Sequence, residues 1–319
     1  MKGSAIAHPI QGLIKYHGLR DEALRIPFHD SISVATSPTA SHTTVEFGNF
    51  EKDSASVDGK DLSGRELERV VSVVDVVRSR SGLDMRFKMA SRNNFPSNVG
   101  LGASASGFAA LAFAASKAAG LKLSLEQVSV IARRGAGSAT RSVTGAFSRW
   151  KAGFEDDESY AYQIVSEDFQ MGIVVALIPA YKSTENAHKA VLTSPFFHSR
   201  LAFVHGALAE MENAIRKRDI QKVGSLAERD SLILHGITMT SIDEMMLWRP
   251  ETISVILEVR KMRSEGIPAY FSIDTGATVY VNTEPKLVAE VESRIRGLGI
   301  ETIICGVGGG AIETEEHLF

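Results

Sequence analysis

A chain of 319 residues exceeds what one hydrophobic core usually organises, so two packed lobes or one large α/β unit are expected. Its 44% hydrophobic and 23% charged content is ordinary for a globular protein, and a net charge of −3 leaves no basic field for nucleic acid or an anionic membrane, so any phosphate site has to be local. One cysteine, Cys305, excludes an intrachain disulfide and a cysteine-based zinc cluster.

Along the chain, β-branched clusters predict strands within 4–15 and 31–47. Ser63 and Glu66 form the pattern of a capping box before Leu67, Val70, Val74 and Val77, which predicts a helix over about 63–80. A second, Ala-rich helix is expected from near Ser104 to Ala119, and a third, capped by Ser124 and Gln127, through Arg134. The most apolar run, Gly107 to Ala115, meets Ser116 and Lys117 after about half a membrane span, and no secretory-signal pattern follows Met1, so a cytoplasmic protein is expected. The acidic run Glu155-Asp156-Asp157-Glu158 marks a solvated turn, and a boundary between lobes 1–165 and 166–319 is placed just beyond it. Residues 171–178 read as a buried strand stopped by Pro179. Helical periodicity covers 197–218 and much of 219–235, and Pro250 suits the first turn of another helix. Ala269 to Asn282 reads as strand–turn–strand through Asp274-Thr275-Gly276, and Thr302 to Val307 as a last strand. Strands, then helices, then strands argue for an α+β fold rather than a doubly wound sheet.

The most informative segment is Pro96-Ser97-Asn98-Val99-Gly100-Leu101-Gly102-Ala103-Ser104-Ala105-Ser106-Gly107. Gly100 and Gly102 allow backbone N–H groups to turn toward a ligand, and Ser104 and Ser106 open an Ala-rich helix whose N-terminus favours phosphate. The Walker pattern is absent, and the segment alone also fits a tight turn into a close-packed helix. The nine histidines show no metal-ligand spacing.

That loop closely resembles the ATP-phosphate loop of the small-molecule kinase superfamily that contains galactokinase, homoserine kinase and mevalonate kinase (the GHMP kinases). Four further segments, in order, resemble its mevalonate-pathway decarboxylase branch. They are Ile14-Lys15-Tyr16-His17-Gly18-Leu19-Arg20-Asp21; Ile26-Pro27 leading into Ser31-Ile32-Ser33-Val34; Ala132 to Ser142 with Gly145-Ala146-Phe147 and Trp150; and Ala269 to Gly276. The resemblance implies a two-lobed fold, a ribosomal-protein-like N-terminal lobe and a ferredoxin-like C-terminal lobe, with the site between them. It implies ATP and magnesium, a homodimer, and no nucleic-acid or membrane partner.

It also implies roles. Asp274 orients or deprotonates the substrate hydroxyl, Lys15 sits in an apolar strand with Asp274 as its expected partner, and Arg141 clamps the substrate carboxylate. Tyr16, His17, Arg20 and Ser138 join Arg141 in binding substrate. Asn94, Gly100, Gly102, Ala103, Ser104, Ala105 and Ser106 bind ATP, Ser104 also reaching its magnesium. Arg133 and Arg134 are expected as surface or helix-end charges. Asp230 and His235 lie in a helix that resembles the family's but fit solvated positions equally well.

The departures are concentrated near Lys15. Five residues before it and four after it, where the diphosphate-specific decarboxylases carry Asn and Lys, this chain has Ile10 and Leu19. His17 replaces the motif Trp, Ala136 replaces a serine, and Lys182-Ser183-Thr184-Glu185 brings an acidic residue. The expected substrate is therefore mevalonate 5-phosphate, with isopentenyl phosphate as product. A diphosphate substrate, or a 3-kinase that does not decarboxylate, is the alternative.

Overall fold

The computed structural model describes residues 1–96, 100–179 and 184–319. Ser97 to Val99 of the glycine loop and Lys182-Ser183 lie outside them, as do the side chains of Thr184 and Glu185.

The N-terminal strand Lys2–Ala7 pairs antiparallel with Ser41–Gly48, which pairs in turn with Arg86–Asn93, and Ser54–Val57 joins the latter in parallel. Helices α1 (Gly64–Ser81), α2 (Ala103–Ala118), α3 (Leu125–Arg133) and α4 (Ala139–Thr144) supply the apolar side chains that cover this sheet. The Ala-rich sequence of α2 lets it lie almost on the backbone of the first strand. A Cβ at Gly3 would stand 2.6 Å from the Ala114 carbonyl oxygen, so bulk at either position would force the layers apart.

A second, eight-stranded sheet orders Ala161–Val165, Phe147–Trp150, Ser31–Ser37, Thr302–Val307, Gly172–Ala176, Val279–Thr283 and Ala269–Ile273, with Ile10–Ile14 also paired to Ser31–Ser37. Strands from both halves of the sequence therefore share one antiparallel sheet. Helix α5 (Thr184–Ala190) leads to α6 (Phe197–Arg216) and α7 (Ile220–Met239), whose side chains join those of the sheet in one core. The other face is covered by α8 (Pro250–Ser264) and α9 (Val288–Arg296).

Ser124 and Gln127 close a reciprocal capping box, and Pro250 occupies the first turn of α8 as expected. At Ser63 the box does not form. The serine precedes α1 in extended conformation, but its side chain makes no capping bond. The strand Arg86–Asn93, the short α4 and α9 were not anticipated, although Arg86–Asn93 alternates buried Phe87 and Met89 with exposed Arg86 and Lys88, a legible period of two.

Candidate active site

The strand Ile10–Ile14 and the turn after Ala269–Ile273 lie together, and that proximity builds the site's centre. The Gly12 N–H donates to the Asp274 carboxylate at 3.0 Å and 3.3 Å. Glycine is needed there, since a Cβ would stand 2.9 Å from Asp274 Oδ1 and 2.8 Å from Lys15 Cγ. His235, on α7, donates its Nε2 proton to the Asp274 carbonyl oxygen at 2.8 Å. Burial holds this imidazole down to about 4, so it stays neutral and its tautomer is set by the carbonyl it serves.

Lys15 Nζ is buried and donates to the Gly12 carbonyl at 2.7 Å and to Ser272 Oγ at 2.8 Å. Its ion pair is with Asp230, at 3.9 Å, rather than the expected contact with Asp274. Burial pushes the Lys15 ammonium below its ordinary range, and the fields of Asp230 and Asp274 oppose that. Asp230 is wholly buried, accepts the Lys15 backbone N–H at 2.9 Å, and stands 2.7 Å from the buried Arg200 guanidinium. Solvated positions for Asp230 and His235 are thereby excluded.

Arg141, from α4, is buried and its guanidinium donates to Ser31 Oγ. It lies 5.4 Å from the ring centre of Tyr16 and 5.8 Å from that of Trp150. Among the described residues it has no carboxylate within ion-pair distance, and its Nε makes no hydrogen bond. Burial lowers it to about 10, so it remains charged. Tyr16 packs edge-on against Trp150 and stacks on His188, while His17 shares a 3.1 Å hydrogen bond with Thr275 Oγ1. Gly137 makes room for this cluster. A Cβ there would stand 2.4 Å from the Tyr16 hydroxyl.

Above these groups, Gly100 (φ 85°) and Gly102 (φ 75°) adopt left-handed backbone conformations that favour glycine. Among the described residues no side chain caps the start of α2. Tyr280, buried in the sheet, donates to the Gly100 carbonyl oxygen at 3.3 Å and props this loop from below.

One cavity of about 420 Å³ gathers these elements. Among the described residues its lining holds five cationic side chains (Lys15, Arg25, Arg65, Arg69 and Arg141) against two carboxylates, Glu66 and Asp274. In a chain of net charge −3 the lining thus gathers positive charge locally, where the sequence as a whole carries no excess of it. Tyr16, His17, Ser138, Gly100, Gly102, Ala103, Ser104 and Ala105 also line it.

Three expected site residues do not line the cavity. Arg20 is exposed, donates to the Gly153 carbonyl and lies over the Phe154 ring. Asn94 braces the chain at Pro38 and Ala40. Ser106 is wholly buried and bonds Ser41 Oγ at 2.7 Å, because the two-residue step from Ser104, about 200° around the helix, rotates it into the sheet. The expectation for Arg133 is also corrected. It is wholly buried, paired with Asp156, and donates to the Leu24 carbonyl at 2.8 Å. Arg134 reaches the same carboxylate at 3.0 Å. Sequence reasoning missed Arg25, Arg65, Arg69 and His188. The spacing of Arg65 and Arg69, one turn apart on α1, was a signal that two cations share a face.

The fold and this cationic, carboxylate-bearing cleft define the class, an α+β enzyme of the GHMP kinase fold. Residues 7–161 match the diphosphomevalonate decarboxylase-like N-terminal domain, and 173–298 the mevalonate 5-diphosphate decarboxylase C-terminal domain. The chain is 46% identical to the phosphomevalonate decarboxylase of Haloferax volcanii over the full length of both. It is 29% identical to the diphosphomevalonate decarboxylase of Candida albicans, covering 88% of this chain and 84% of that protein. The mevalonate diphosphate decarboxylase of Staphylococcus aureus superposes with a TM-score of 0.93 at 32% identity over 98% of each chain. A complex of MDDEF with MVAPP, AMPPCP and magnesium gives 0.93 at 30% over 99% of each. The chain belongs to the mevalonate-pathway decarboxylase family.

Proposed function

We propose that the chain catalyses the ATP-dependent decarboxylation of mevalonate 5-phosphate to isopentenyl phosphate, with carbon dioxide, ADP and phosphate as the other products. The observation that carries this reading is Arg141, a buried guanidinium without a carboxylate partner among the described residues, lining the same cavity as Asp274. A carboxylate held by Arg141 and a hydroxyl presented to Asp274 are the two groups a 3-hydroxy acid offers.

Direct loss of carbon dioxide from such an acid is slow, because no electron sink lies beta to the carboxylate. In the first step the tertiary hydroxyl oxygen bonds to the γ-phosphorus of ATP, the bond to the β-bridging oxygen breaks, and ADP leaves. Asp274 orients that hydroxyl or takes its proton, held by the Gly12 N–H and fixed from behind by His235. In the second step the C–O bond breaks and phosphate departs. The bond to the carboxyl carbon then supplies the electron pair of the alkene, and carbon dioxide is released. Lys15, buried beside Gly12 and Ser272, adds positive charge where the transferring phosphoryl group develops negative charge.

The glycine loop and the start of α2, with Ser104, are assigned to the nucleotide phosphates, and Arg65 and Arg69 join them as cations facing the same space. Among the described residues no three His, Cys, Asp or Glu side chains cluster as a metal cage. The lining therefore suits a magnesium ion carried mainly by the nucleotide, with the Ser104 hydroxyl or Asp274 as protein ligands, which would neutralise phosphate charge. Among the described residues no helix is long and apolar enough to cross a membrane.

Support for a lobe boundary at 165/166 comes from the two family matches, which end at 161 and resume at 173. The monophosphate is favoured over the diphosphate by Ile10, which lines the cavity as an apolar group, and by the 46% identical Haloferax relative. Product analysis tests the reaction. Phosphorus NMR of enzyme, ATP, magnesium and mevalonate 5-phosphate should show ADP, phosphate and isopentenyl phosphate in equal amounts. A stable doubly phosphorylated mevalonate would make the enzyme a kinase.

A further inference from the structure

Arg25 sits in the turn joining the short strands Leu19–Asp21 and Ile26–Pro27, and it lines the cavity. Its backbone has φ 55°, a left-handed conformation that residues with a Cβ rarely adopt. The surroundings hold it there. Asp21 Oδ1 accepts the Leu24 N–H at 2.8 Å. Arg133, wholly buried, donates to the Leu24 carbonyl at 2.8 Å, and Arg134 reaches the Ala23 carbonyl at 3.4 Å. Asp156 ties those two guanidinium groups together. Two arginines and two aspartates thus fix a four-residue turn whose last member turns a cation toward the cavity.

We propose that Arg25 binds the 5-phosphate of the substrate, supplying from the turn of this hairpin the charge that Leu19 does not supply from its strand. The inference deepens, and rests on, the monophosphate reading above.

Leu19 pairs with Pro27 on the same hairpin and is not among the cavity-lining residues. Arg25 lies close enough to Tyr16 and His188 for its field to act on both side chains. His188 accepts the Gly18 N–H on Nδ1 at 3.2 Å, and burial holds the ring near 4, so it is neutral with its proton on Nε2. Beside Arg141, assigned above to the carboxylate, that end of the cavity sets the Arg25 guanidinium against the neutral donors Tyr16 and His188. A single phosphate matches one bidentate guanidinium supported by neutral donors, whereas a diphosphate would call for further charge.

The test compares wild type with Arg25→Asn and Arg25→Lys, on mevalonate 5-phosphate and on the 5-diphosphate. Asparagine tolerates the left-handed backbone, so Arg25→Asn removes the charge without adding strain, and thermal melting checks that the turn survives. The expected result is a rise of about 10- to 100-fold in KM for the phosphorylated substrate, with KM for ATP changed less than about twofold and partial recovery in Arg25→Lys. An unchanged substrate KM in a folded Arg25→Asn, or a loss confined to ATP, overturns the role of Arg25. The preference of the wild type tests the monophosphate reading separately. If the wild type prefers the diphosphate, that reading fails and the assignment of Arg25 to the 5-phosphate of a monophosphate substrate falls with it.

Discussion

Replacing Asp230 by asparagine probes the least conspicuous part of the site, its buried charge balance. Asp230 is wholly buried between Lys15, 5% exposed, and Arg200, 1% exposed. The isosteric change removes one charge and leaves no hole, so the loss of packing is small. What remains is two buried cations without their shared counterion. Breaking a buried ion pair from one side costs about 3–5 kcal/mol, and solvent cannot screen this one. Among the described residues the Arg200 guanidinium keeps its bond to the Lys15 carbonyl, at 2.9 Å, a long contact to the main chain of residue 230 and its place over the Phe203 ring. In a chain of this size the melting temperature should fall by about 5 °C or more. Differential scanning calorimetry and urea denaturation of Asp230→Asn against wild type would measure it. A loss below about 1 kcal/mol would show that Lys15 and Arg200 do not depend on Asp230, and the account of how the strand Ile10–Ile14 is fixed to α7 would fail.

Further outcomes follow from the same geometry. Asp274→Asn should lower turnover by about 10²- to 10⁴-fold while leaving ATP affinity within about twofold, measured by steady-state kinetics and nucleotide titration; near-wild-type turnover would remove Asp274 from the chemistry. His188 and His235 are each held near 4 by burial, against about 6.5 in an unfolded chain. Their folded values are depressed, so below about pH 6.5 the unfolded chain binds protons that the native state refuses, and stability falls with acidification down to about pH 4. The slope should approach about 1.4 kcal/mol per pH unit for each histidine. Urea midpoints that stay level between about pH 7 and about pH 5 would contradict the buried, neutral state of both rings.

The parts of this site that were legible in the sequence are those whose chemistry is local. Gly100, Gly102 and Ser104 announce a loop and a helix start within a few residues, and Asp274 stands at the end of an apolar strand beside a turn. What was not legible depends on long-range placement. Lys15 finds Asp230, 215 residues away, because α7 packs on its strand. Arg133 looks like a helix-end charge until the turn at Leu24 and the loop at Asp156 close over it. Arg25 carries no turn signature, since its left-handed backbone is imposed by neighbours rather than by a glycine or asparagine. Ser106 illustrates the opposite error. The motif named it, but the helical rotation from Ser104 turns it into the sheet.

The central claim is tested most directly by supplying mevalonate, its 5-phosphate and its 5-diphosphate in parallel with ATP and magnesium, and following ADP and carbon dioxide together. The account predicts equal release of both products, with the highest kcat/KM on the 5-phosphate. A higher kcat/KM on the 5-diphosphate, or ADP formed without carbon dioxide, would contradict it.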